Sequence, residues 1–134
     1  MGFPFKFNRH GRGVGRKPGV MNGIEREYAA HLESLRIAGK IEWYVFDAVK
    51  LRLAENTFYT PDFFVMLANG EIEVREVKGF WEDDARVKIK VAADKFPFRF
   101  IGVTKRTKKS GGGWEMEYFS DMPAGLVAMP VGEP

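Results

Sequence analysis

The sequence predicts one α/β domain, in the order helix, three strands, helix, two strands, with a mixed sheet flanked by helices. Three observations carry this expectation. Apolar residues recur at helical spacing from Asn22 to Ala38 and again from Asp83 to Lys95; aromatic and β-branched runs fill the chain between and after; Gly, Pro and Asn-Gly separate the runs. With 134 residues, 45% of them hydrophobic, the chain suffices for one proper core and not for two comfortable ones.

The first helix starts at Asn22, a capping residue, and stops at Gly39. Ile24, Tyr28, Leu32 and Leu35 form its apolar stripe, whereas Glu27 and Glu33 look outward. Glu25 lies beside the stripe, and a carboxylate there requires a partner to offset its desolvation. The alternative is a first-turn Glu that serves only the helix dipole. From Ile41 to Leu53 the alternation reads as one long strand, apolar on both faces and therefore inside the sheet. Ala54-Glu55-Asn56-Thr57 turns the chain back.

Tyr59 to Trp81 reads as a β-hairpin around Ala68-Asn69-Gly70. A two-residue turn would put Asp62 and Glu76 on different faces. A three-residue loop, with Gly70 at its left-handed position, sets Asp62 opposite Glu76, Phe64 opposite Val74 and Met66 opposite Ile72. Apolar and carboxylate registers then agree, so the three-residue loop is expected. Gly79 follows, then Phe80 and Trp81, each able to stack on a base or to pack. The second helix starts at Asp83 or Asp84 and ends before Pro97; Ala85, Ile89, Ala92 and Phe96 face inward and Lys88 lies between them. Phe98 to Val103 is expected to run parallel to its sheet neighbour. A basic, glycine-rich loop from Lys105 to Gly113 leads to an edge strand, Trp114 to Phe119.

Two opposed carboxylates, roughly 5 Å apart at their β-carbons, repel unless a cation lies between them. Oxygen-only ligands suit magnesium or manganese, so Asp62 and Glu76 are the candidate metal ligands, with the Val77 carbonyl as a third. Lys78 shares a strand face with Glu76 and is suited to orient or activate a water for metal-assisted phosphodiester hydrolysis. Surface strands also carry Asp, Glu and Lys for solvation alone. That reading leaves unexplained why apolar and ionisable residues share one face in matched register.

Pro61-Asp62 followed by Glu76-Val77-Lys78-Gly79 resembles the signature of the PD-(D/E)XK nuclease superfamily, and Asn22 to Pro97 is similar to its small phage-encoded members. The resemblance covers a little over half of the chain. It implies a restriction-endonuclease-like core, a helical Glu at the metal site, here Glu25, and Mg2+- or Mn2+-dependent cleavage of DNA leaving a 5′-phosphate. It also implies a homodimer as candidate state, since related junction-resolving enzymes make two symmetric cuts. Without a separate specificity domain, selection of branched or nicked DNA by shape is expected.

The net charge of +3 is unevenly placed. Lys6, Arg9, Arg12, Arg16 and Lys17 lie in a segment without acids, and Lys105, Arg106, Lys108 and Lys109 form a second cluster. Together with Lys88 they are the candidate phosphate-backbone contacts. The expected organisation is a basic flexible tail (1–21), a nuclease-like domain (22–119) and a C-terminal tail (120–134). With no cysteine, disulfides and thiolate chemistry are excluded. No apolar run approaches the roughly 20 residues of a membrane span, which leads to the expectation of a soluble protein of the cytoplasm, the host's if phage-encoded. The competing class is a non-catalytic nucleic-acid-binding module of phage replication or packaging.

Overall fold

In the computed structural model, which describes residues 19–120, Asn22 caps helix α1 (Gly23–Ile37). The Asn22 side chain accepts from the Glu25 N–H at 2.9 Å, and the Glu25 carboxylate accepts from the Asn22 N–H at 2.9 Å, a reciprocal pair that satisfies two otherwise unpaired donors. The helix buries Tyr28, Leu32 and Leu35 as its apolar spacing requires. The expectations for Arg9, Arg12, Arg16 and Lys17, and those for the C-terminal tail from residue 121, lie outside the described residues.

One expectation fails next. The predicted long strand is two: β1 (Ile41–Phe46) and β2 (Leu51–Ala54). Asp47 breaks it by adopting a positive φ of 55°, which Asp tolerates better than most residues. Its N–H donates to the Asp62 carbonyl at 2.8 Å and its carboxylate accepts from the Gly19 N–H at 2.6 Å. β2 then pairs with β3 (Thr57–Tyr59) in a separate two-stranded ribbon. The order between the helices is therefore five strands rather than three.

β4 (Phe63–Leu67) and β5 (Ile72–Lys78) form the expected hairpin. The Leu67 N–H donates to the Glu71 carbonyl at 2.8 Å across Ala68-Asn69-Gly70, and Gly70 takes φ 90°, the conformation that excludes most side chains. Phe64 pairs with Val74 and Met66 with Ile72, so the three-residue loop sets the register as expected. Helix α2 (Asp83–Lys95) returns the chain to β6 (Arg99–Lys105), which is parallel to β5, and β7 (Trp114–Tyr118) closes the edge antiparallel to β6.

The five-stranded mixed sheet has the order β1-β4-β5-β6-β7, so β1 is an edge strand, not an interior one. Its two apolar faces have another cause: it lies between layers. Tyr44 and Phe46 pack with Tyr28, Leu32 and Phe63 on the α1 side, while Val45 packs with Leu53, Phe64 and Ile89 on the side of α2 and the ribbon. Trp43 remains 44% exposed at that edge. No helix among the described residues is long and apolar enough to cross a membrane.

The α1 side of β5 also holds a charge network. Arg75 is fully buried; it donates to Glu73 at 2.6 Å and to the Tyr28 hydroxyl at 2.7 Å, and Arg99 donates to the other Glu73 oxygen at 2.7 Å. Such charges persist in a core only when paired in this way. Alternation alone assigns Glu73 and Arg75 to the face opposite Glu76, and it says nothing of their burial.

Candidate active site

Asp62 precedes β4 directly, and the antiparallel register brings it beside the C-terminal half of β5. The Asp62 N–H donates to Glu76 Oε1 at 3.1 Å, and the Val77 N–H donates to Asp62 Oδ2 at 2.8 Å. The Asp62 backbone thus meets the Glu76 carboxylate, while the Asp62 carboxylate is held by the N–H of Val77, the residue after Glu76. Asp62 and Glu76 are both buried, at 1% and 3% exposure. Lys78, one alternation on from Glu76, sets its Nζ 3.2 Å from Glu76 Oε2.

A third partner was not foreseen. The buried Tyr59 hydroxyl, at the end of β3, donates to Glu76 Oε1 at 2.8 Å. The only sequence signal is a polar-tipped aromatic three residues before Asp62, which is too common to single out.

Tyr59, Glu76 and Lys78 border a cleft of about 180 Å³ at the C-terminal end of β5, and Asp62 lies behind them, outside its lining. Glu76, Val77 and Lys78 line it from the strand, Glu25 from the first turn of α1, and Lys88 from α2. Because both helices begin at this end of the sheet, residues far apart in sequence converge there. Asp84, read from sequence only as a possible helix start, and Glu82, not singled out there, line it too. Lys105, Arg106, Lys108 and Lys109 instead occupy the exposed β6 end and the β6–β7 turn, where Lys105 pairs with Glu27 at 2.7 Å.

Asp62 and Glu76 make up the donor set for the cation that the motif implies. It consists of hard oxygens with an ammonium beside them, the type that suits magnesium or manganese. Among the described residues no three His, Asp or Glu side chains stand together as a ready cation cage. Magnesium commonly keeps several waters and takes only one or two carboxylates, so the residues fit such an ion by ligand type and number. The Val77 N–H, rather than its carbonyl, is what the hydrogen bonds tie to Asp62.

No protein-family model, curated protein or solved structure matches the chain.

Proposed function

We propose that this chain is a metal-dependent endonuclease that hydrolyses DNA phosphodiester bonds, built on a restriction-endonuclease-like core. The observation that carries the reading is the contact of the Asp62 N–H with the Glu76 carboxylate, with Lys78 at 3.2 Å from Glu76 and Glu25 lining the cleft beside Glu76 and Lys78.

Asp62 and Glu76 would hold Mg2+ or Mn2+, with the Val77 carbonyl as a further ligand. Such an ion, when bound, lowers the pKa of a coordinated water and stabilises charge on a phosphoryl oxygen. Lys78 orients the attacking water and offsets the negative charge that develops at phosphorus, a role that its pairing with Glu76 prepares by fixing the ammonium. Lys88 meets a non-bridging oxygen from the α2 side, and Glu25 completes the acidic wall. By resemblance the product carries a 5′-phosphate, the substrate is branched or nicked DNA, and a homodimer supplies two cuts.

One observation favours a second reading. Both Glu76 oxygens already interact with donors of the protein itself: Tyr59 and the Asp62 N–H at one, Lys78 at the other. A nucleic-acid-binding module without chemistry would need nothing more from Glu76.

Nicking of supercoiled and branched DNA, with and without manganese, separates the two. In the nuclease reading, Glu76→Gln and Lys78→Ala each lower the rate by roughly a hundredfold or more, the range that proton-transfer and water-activating groups supply. Wild-type protein that retards DNA in a gel yet leaves it intact under all metal conditions supports the binding module instead.

A further inference from the structure

Two aromatic residues follow Lys78-Gly79, and their fates are opposite. Trp81 turns inward: its indole N–H donates to Thr104 Oγ1 at 3.0 Å and its ring lies against Phe119, with centroids 5.8 Å apart. Phe80 remains 73% exposed and lines the cleft beside Lys78 and Lys88. A single exposed Phe is ordinary on a protein surface; one at the mouth of a cleft that also holds two ammonium groups has a chemistry.

Gly79 supplies the independent observation. Its backbone lies outside the left-handed region, and a Cβ built on it would touch only Ile24 Cδ1, at 4.0 Å. Neither conformation nor packing within the described residues therefore requires glycine there. What the missing side chain keeps open is the cleft wall between Lys78 and Phe80.

We propose that Gly79 and Phe80 form a one-base subsite: the Phe80 ring stacks on a nucleobase that has left its duplex, while the bare Gly79 backbone lets the attached sugar-phosphate approach Lys78. The proposal rests on the nuclease reading above and names its substrate class, a strand with an unpaired base next to the scissile phosphate. Cation beside exposed ring is the pairing that a nucleotide needs, phosphate on one and base on the other. Glu25, Glu76, Glu82 and Asp84 also line the cleft, so its own charge does not attract a polyanion. Stacking must then carry much of the local affinity, and an intact duplex, whose bases are already stacked, gains none of it.

Full-length wild type, Phe80→Ala, Phe80→Tyr and Gly79→Val are compared in two assays. Anisotropy with calcium follows binding of a labelled oligothymidylate and of a blunt hairpin duplex; manganese-dependent cleavage of single-stranded and branched DNA is measured separately. Phe80→Ala should weaken oligothymidylate binding by about 5- to 100-fold, the range for one base stacked on an aromatic ring, with Phe80→Tyr close to wild type. Duplex binding should hardly change. Gly79→Val should keep wild-type thermal unfolding and lose oligothymidylate binding. A 2-aminopurine in the strand should be quenched by wild type and not by Phe80→Ala. Wild-type affinity for oligothymidylate in Phe80→Ala overturns the subsite, even if cleavage is robust. If no substrate is cleaved while the Phe80 dependence of binding persists, the subsite stands and the hydrolytic reading fails.

Discussion

Glu76 is the residue through which the site is assembled, and Tyr59 is the group that holds it from the ribbon side. A hydroxyl donating to a buried carboxylate does two things: it fixes one oxygen in place and replaces part of the water that the charge has lost. Tyr59→Phe removes only that hydroxyl. A hydrogen bond to a charged group contributes about 1.5–3 kcal/mol, so denaturant unfolding should show a stability loss of that order in the variant. On the proposed nuclease reading, nicking should fall together with a requirement for higher manganese concentration, because an untethered Glu76 would be a less ordered ligand. Unchanged stability and metal dependence would remove Tyr59 from the site. Sequence pattern identified Asp62, Glu76 and Lys78 because alternation along a strand is a local property. It missed Tyr59 because the contact depends on how a second, short ribbon folds back over the sheet.

At the level of elements, β6 is shaped around the site. Gly102 is the register partner of Glu76, and the Trp81 indole crosses directly over it. A Cβ at position 102 would lie 2.5 Å from Trp81 Cζ2 and 2.9 Å from Phe119 Cε2. Both atoms belong to packed rings that cannot simply swing away. Gly102→Ala should therefore cost about 1–3 kcal/mol in denaturant unfolding, the usual range for overpacking, and should depress nicking by shifting the segment that carries Lys78 to Trp81. A fully stable and active Gly102→Ala protein would show that Trp81 does not brace this segment. The hairpin, by contrast, is legible in the sequence: Asn69-Gly70 and the matched rows Phe64/Val74 and Met66/Ile72 define one register. The break at Asp47 is not, because the bonds that hold it come from Asp62 and Gly19, neither of them a sequence neighbour.

Across the whole molecule, the buried network links α1 to the sheet on the side away from Glu76. His31 on α1 lies near it, with its ring 5.6 Å from that of Tyr28, and its pKa is lowered from 6.5, first by burial and then by the Arg75 guanidinium. The unfolded chain then binds a proton at a pH where the folded chain does not. The His31 contribution to stability is complete above pH 6.5 and is lost as pH falls through the lower, folded value. Urea unfolding of wild type should weaken between pH 7 and pH 5, and His31→Gln should show a shallower slope over the same window; equal slopes would contradict the assignment.

By itself the sequence determined two helices, the Asn22 cap of the first, a hairpin in a single register, and the consequence that Asp62 and Lys78 both meet Glu76. Each of those follows from turn chemistry and from periods of 2 and 3.6, which act over a few residues. Tertiary structure alone decided that Glu25 and Lys88 reach the same cleft, that Phe80 stays exposed while Trp81 packs, and that Arg75 is buried. These outcomes depend on which layer covers which face, and layer packing minimises exposed apolar area over the whole chain rather than along any stretch of it.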